Sequence, residues 1–251
     1  MSKFHQNIYI PQYDDSILSR VGLVALSTDL TIEQDFRTVF HSQPVNLYVN
    51  RIPFINPMNH KNYMKMKDLL PSVVENILPG EPLEVIAYGC TSGTIAIGKE
   101  VIEEKIKQVK KNCYVTTPIT AALKAFKKMS IKKVAILTPY PTLVNETIFN
   151  FLLKNNIEIT SFNSFNIDND ADVAKINKET IIQTIKSIDL SKAESIFISC
   201  TAMPVLNLIK EIESIIYKPV FSSNQVVIWD CLRSIGINSP IYGYGRLLEF
   251  N

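Results

Sequence analysis

Glu84-Val85-Ile86-Ala87-Tyr88-Gly89-Cys90-Thr91-Ser92 and Glu194-Ser195-Ile196-Phe197-Ile198-Ser199-Cys200-Thr201-Ala202 share one design. Each has an acidic start, an apolar run of strand length, one small residue, then Cys-Thr-small and a helix-like segment. The two cysteines lie 110 residues apart. Val21-Gly22-Leu23-Val24 and Val134-Ala135-Ile136-Leu137, which open the two halves, lie 113 apart. The chain therefore reads as a duplicated unit that presents one thiol from each copy to a shared cleft. Two facing thiols perform proton transfer or covalent addition without a cofactor.

Outward from these runs, short apolar stretches alternate with longer ones of helical period. Strands are expected over 20–26, 44–49, 84–89, 113–116, 133–138, 157–162, 195–199 and 219–222. Helices are expected over 31–41, 60–78, 94–110, 118–128, 142–155, 177–188, 204–214 and 224–235. This alternation predicts an α/β fold of two pseudo-symmetric lobes, each a mainly parallel four-stranded sheet flanked by helices. Strands apolar on consecutive positions, as in Val134 to Leu137, fit burial on both faces. The first lobe is expected to comprise 1–117 with 219–251 packed back onto it, and the second 118–218. Helix starts have local support: proline follows Thr117 and Met203, and Thr31 offers a cap before Glu33.

At 251 residues, 46% hydrophobic and 20% charged, the chain can bury a sizeable core. A net charge of +2 gives no reason to expect nucleic acid, and Lys105, Lys107, Lys110 and Lys111 read as a solvated helix end. No run approaches the ~18 apolar residues of a membrane span. The opening residues Met1 to Asn7 lack the apolar core of an export signal, so four reduced thiols and a cytoplasmic location are expected. Without C-x-x-C, and with His5, His41 and His60 far apart, no metal site is expected. Gly93-x-x-x-x-Gly98-Lys99-Glu100 approaches a phosphate loop but lacks Ser or Thr after the lysine. Asn145-Glu146-Thr147 matches a glycosylation sequon that an unexported chain would not use.

Cys113, at a strand start, and Cys231, inside a helix, read as small core residues. Cys90 and Cys200 read differently. Their strand-end positions lie beyond the carboxyl ends of parallel strands, where ligands bind, and a helix N-terminus behind each lowers a thiol pKa and exposes it. Thr91, Ser92 and Thr201, with their backbone N–H groups, suit a carboxylate. Asp29, Thr138, Tyr140 and Asn145 follow the first strand of each half, either as turn residues or as substrate contacts. Ser222-Ser223-Asn224-Gln225 is a helix cap or an anion loop, and Trp229 is packing.

Ser27-Thr28-Asp29, Arg51-Ile52-Pro53, Tyr88-Gly89-Cys90-Thr91-Ser92-Gly93-Thr94, Leu137-Thr138-Pro139-Tyr140, Ser199-Cys200-Thr201 and Ser222-Ser223-Asn224-Gln225 together resemble the maleate cis-trans isomerase family. That family belongs to the Asp/Glu racemase superfamily, with arylmalonate decarboxylases as relatives. The resemblance spans about 20–245 in conserved motif order, and the isomerase-like proteins of ectoine utilisation are nearest in pattern. It implies a cofactor-independent isomerase or racemase of a small carboxylate, maleate-like or derived from an amino acid. Cys90 would be nucleophile or base, Cys200 the partner acid, and Tyr140 a carboxylate contact. The alternatives are a malonate-type decarboxylase, disfavoured because those relatives need not carry the first thiol, and a non-catalytic binding protein of the same fold. A homo-oligomer is left open. The chain departs from the pattern where Asp29 replaces an asparagine, and where a second asparagine falls at Asp170, beside Asn169. An ionised aspartate accepts hydrogen bonds but donates none.

Overall fold

The computed structural model describes residues 4–13 and 18–250. The first half runs β1 (Ser19–Leu26), α1 (Ile32–Phe40), β2 (Val45–Ile52), α2 (His60–Met64), α3 (Leu70–Glu75), β3 (Val85–Gly89), α4 (Thr91–Ile97), α5 (Lys99–Lys107), β4 (Tyr114–Thr116) and α6 (Pro118–Lys128). The second runs β5 (Lys133–Thr138), α7 (Thr142–Lys154), β6 (Glu158–Ser164), α8 (Asp170–Val173), α9 (Lys178–Ser187), β7 (Ser195–Ile198), α10 (Ile209–Ile216), β8 (Val220–Ser222), α11 (Ser223–Ser234) and α12 (Arg246–Glu249).

The strands form two four-stranded parallel sheets, ordered β2-β1-β3-β4 and β6-β5-β7-β8. The second order repeats the first, which is the duplication made visible. The central strands β1, β3, β5 and β7 are buried over most of their length, so their residues are apolar without alternation. Each crossover is a helix, as a parallel pair requires. No helix among the described residues is long and apolar enough to cross a membrane.

Two expected helices are each broken in two. The 94–110 segment breaks at Gly98, whose φ of 95° lies in a region that favours glycine. The 60–78 segment divides at 65–69, and Pro71 falls in the first turn of α3, where its missing N–H costs nothing. The helix expected from Pro204 starts at Ile209, after a 3-10 turn at Leu206–Leu208. Lys110 is not solvated: its Nζ donates to the carbonyls of Leu78 and Glu81 at 2.7 and 2.8 Å.

The expected placement of all of 219–251 on the first lobe is corrected at its first strand, because β8 hydrogen-bonds to β7 in the second sheet. α11 then crosses over and packs on β3, β4 and α1. α6 makes the opposite crossing, with Phe126 set edge-on to Phe197 and Phe221 of the second sheet, centroids 5.7 and 5.0 Å away. α6 and α11 pack on each other, so the two halves are clasped by exchanged helices.

Candidate active site

Six side chains converge from equivalent places in the two halves. Asp29 follows β1 and Tyr140 follows β5; Cys90 follows β3 and Cys200 follows β7. Tyr63, on α2, follows the edge strand β2, and Asp170, at the start of α8, follows the edge strand β6. Both thiols feel the Asp170 and Asp29 carboxylates, and Tyr63 and Tyr140 each feel both thiols. All six are buried, and all four cysteines are free thiols.

Cys90 is the N-cap of α4. Its Sγ accepts the Gly93 N–H at 3.2 Å and lies 3.9 Å from the Ser92 hydroxyl. Glycine is required at 93, since a Cβ there would lie 2.7 Å from that sulfur. The Tyr140 side chain and the Ala202 N–H lie beside the Cys200 thiol and favour its anion. The sequence expectation of exposed, acidified thiols is corrected here. Burial pushes Cys90 up to about 12 and Cys200 well above its ordinary value, and Asp170 and Asp29 add to the rise. The Gly93 and Ala202 N–H groups pull the other way without prevailing.

Asp29, not Thr31, caps α1: its Oδ1 accepts from the Thr31 and Ile32 N–H groups at 2.7 and 3.0 Å. The Thr31 hydroxyl donates instead to the Ala202 carbonyl across the cleft. Asp29 Oδ2 is buried with no hydrogen-bond partner. Burial raises the Asp29 pKa against the pull of the Ile32 N–H, the Thr201 side chain and the Thr31 N–H. Asp170 accepts from the Thr28 hydroxyl at 2.5 Å, and burial with the Asp29 charge beside it pushes it up to about 6. Asn169 turns away to cap α8 through the Ala171 N–H, so Asp170 is the residue of that pair in the cluster.

Several residues read as candidate contacts also brace the backbone of the site. Thr138 donates to Asn145, and Asn145 and Ser164 both donate to the Tyr140 carbonyl, which fixes the backbone that carries the Tyr140 ring. Thr91 bonds Ser223 at 2.8 Å, and Thr201 leans on the Gly89 carbonyl. Asn224 donates to the Thr201 carbonyl at 2.8 Å and to Asp35 at 2.7 Å. The start of α11 thus holds the loop after each thiol. Cys113, whose Sγ donates to the Lys110 carbonyl, and Cys231 lie in the core as expected.

Tyr63 was not visible in the sequence as a site residue. Its hydroxyl is buried with no hydrogen-bond partner in place, and Ser92 lies beside it. The available signal was the duplication itself, which sets the segment after β2 opposite the segment after β6. A cavity of about 450 Å³, lined by Pro57, Met58, Pro141 and Leu143 among others, reaches the cluster at Tyr63 and Ser92. The described residues include no group of three His, Cys, Asp or Glu placed to hold a metal.

A sequence profile of the arylmalonate decarboxylase family matches residues 55–248. The maleate isomerase of Alcaligenes faecalis is 22% identical over 248 residues, covering 92% of this chain and 96% of that one. Among solved structures, the maleate isomerase Iso of Pseudomonas putida S16 superposes with a TM-score of 0.86 at 20% identity, covering 92% of this chain and 98% of that one. A cysteine-to-serine mutant of the Nocardia farcinica maleate cis-trans isomerase, with a covalently bound succinylcysteine intermediate, gives 0.85 at 21% identity, covering 92% and 98%.

Proposed function

The chain belongs to the arylmalonate decarboxylase family, and on that footing we propose that it is a cofactor-independent cis-trans isomerase of a small unsaturated carboxylate, with Cys90 as nucleophile and Cys200 as its acid partner. The observation that carries this reading is the pair of free thiols at equivalent strand ends, enclosed with the same two carboxylates and two tyrosines. The full-length match to maleate isomerases supports it over decarboxylation. So does Cys90 itself, a thiol that a decarboxylase with one working cysteine would not need.

The chemistry balances without an outside reagent. Cys90 enters the cycle as a thiolate, its proton having passed to solvent; it adds to one alkene carbon, and as the π pair moves to the neighbouring carbon, that carbon takes the Cys200 proton. The former double bond, now single, rotates. The Cys200 thiolate takes a proton back from the same carbon, the double bond re-forms and the carbon–sulfur bond breaks, returning Cys90 as a thiolate. The Gly93 N–H and Ser92 hydroxyl aimed at Cys90 stabilise that anion at both ends of the cycle. The Tyr140 hydroxyl does the same for Cys200.

A cytoplasmic location suits four free thiols. The test of the mechanism is intact mass with peptide mapping of Cys200→Ser incubated with cis-unsaturated carboxylates. A saturated adduct on Cys90, its neighbouring carbon protonated by water in place of Cys200, is expected to accumulate. Turnover that persists in Cys90→Ala, with no adduct in any variant, would overturn the proposal.

A further inference from the structure

Among the described residues, the only positive charge that acts on the acid pair is Arg51, as the last and smallest of the influences on Asp29, and no cation hydrogen-bonds either carboxylate. Arg51 is the nearest candidate in sequence, but its Nη1 donates to the backbone carbonyls of Leu26 and Asp29 and its Nη2 pairs with Glu33 at 2.9 Å. Lys175, on the turn after α8, pairs with Asp172. Asp29 spends one oxygen on capping α1 and keeps the other buried and unpartnered. Asp170 has one short bond from Thr28. The Tyr63 hydroxyl, buried beside Asp170 and both thiols, is a second polar group without a partner in place. Buried acceptors without donors are costly unless a ligand supplies the donors.

Building on the isomerase reading above, we propose that Asp29 and Asp170 receive a primary ammonium group, so that the substrate is an amino-substituted unsaturated monocarboxylate and not a dicarboxylate. An ammonium has three donors and no acceptor, which answers the free Asp29 oxygen and the second Asp170 oxygen together. A second carboxylate in the same place would meet two acids and only hydroxyl donors. The nitrogen must sit on a saturated carbon beside the double bond, because an amine on the alkene itself is an enamine that passes to an imine and hydrolyses. A cation there also serves the chemistry. Burial is the main cause of the raised pKa of Cys90 and Cys200, and Asp170 and Asp29 add to it; an ammonium that neutralises the two acids removes their share of the rise once substrate is bound. A dianion would add to the rise.

The probes are cis-4-aminobut-2-enoate and maleate, which share a four-carbon cis-alkene carboxylate and differ in the second end group. Calorimetric affinities and NMR-monitored isomerisation are compared for the wild type, Asp29→Asn and Asp170→Asn. Asparagine at 29 keeps the oxygen that caps α1, and the second variant stands in should the first fail to fold. The wild type is expected to prefer the amino compound by about tenfold or more, the scale of one charge-assisted hydrogen-bonded pair. Each variant should lose about that factor for the amino compound and gain affinity for maleate. Equal or better binding of maleate by the wild type, failure of the amino compound to bind, or a preference unmoved by both substitutions would overturn the inference. The two proposals fail separately. A preference reversed by asparagine with no adduct on Cys90 keeps the ammonium site and removes the isomerase. An adduct from maleate formed equally well in the wild type and both variants does the opposite.

Discussion

Replacing Asp35 with asparagine isolates one buried acid behind the site. Asp35 lies on α1, 7% exposed, and its Oδ2 accepts from Asn224 Nδ2 at 2.7 Å. Burial, with the Asp29 charge in support, pushes it from the ordinary 3.8 to about 7 against the opposing Asn224 bond. Asn224 Oδ1 is buried without a partner, so a protonated Asp35 has an acceptor waiting for its O–H. The sign follows from proton counts. Between pH 3.8 and about 7 the folded chain holds a proton at Asp35 that the unfolded chain has released, so stability falls as pH rises through that window. At about 1.4 kcal/mol per pH unit, the loss between pH 5 and pH 8.5 is about 2–3 kcal/mol. Asparagine at 35 cannot ionise and offers Asn224 a reciprocal amide pair, so its own contribution is flat. At about 2–4 °C per kcal/mol for a chain of this size, the Tm advantage of Asp35→Asn should grow by roughly 4–12 °C from pH 5 to pH 8.5. Removing the Asp35 charge also eases the ionisation of Asp29, which acts in the same direction. Scanning calorimetry across that range provides the assay. A Tm difference that stays constant with pH would refute the reasoning, because it would mean that Asp35 is already ionised in the folded protein at pH 5.

Cys90→Ala and Cys200→Ala should each abolish isomerisation, while Cys113→Ala and Cys231→Ala retain it with a stability cost of about 1 kcal/mol; steady-state NMR assays and urea melts check both. At pH 7.5 the Cys90 thiol, near 12 against an ordinary 9.0, should alkylate about a thousandfold more slowly than a free cysteine, and Asp170→Asn should speed it by removing a neighbouring negative charge; mass-resolved iodoacetamide labelling measures the rates. Tyr63→Phe should leave the unfolding free energy within about 0.5 kcal/mol of wild type, since the hydroxyl has no partner to lose, while lowering kcat/KM; an unchanged kcat/KM would take Tyr63 out of the site.

The strands were legible because their information is local. Eight apolar runs of the right length became eight strands, and the repeated Cys-Thr ending identified two of them as equivalent. The helix breaks were less legible, though Gly98 and Pro71 mark them in hindsight. Asp29, Tyr140, Cys90 and Cys200 could be named because each follows a strand directly, where the chain position fixes the place in space. Tyr63 could not, because the segment between β2 and α2 is irregular and only the other half of the duplication says where it points. The direction of the thiol pKa values was misread for a related reason. A helix N-terminus is visible in sequence and its pull on the sulfur is real, but complete burial and two nearby carboxylates arise only from the closing of one half on the other. The role of Arg51 was likewise decided by Glu33, a partner 18 residues away on a different element.

The exchanged helices explain how two weakly similar halves keep one reaction geometry. α11 begins directly after β8 in the second sheet, yet its body packs on the first. Its first two residues therefore stand between the loops that carry the two sulfurs. Ser223 holds Thr91, next to Cys90, and Asn224 holds the carbonyl of Thr201, next to Cys200. A shift of either sheet relative to the other strains one of these bonds unless α11 moves with it, and α11 is itself anchored against α6, which makes the reverse crossing. In the proposed reaction, addition by one sulfur and proton delivery by the other succeed only if both reach the same alkene within bonding distance, and an error of about 1 Å in such placement costs on the order of a hundredfold in rate. A cleft made by simple apposition of two lobes would leave that distance to the lobe interface. Here it is set by a helix that belongs to both, and groups that follow each thiol, the Thr91 hydroxyl and the Thr201 carbonyl, fasten that helix.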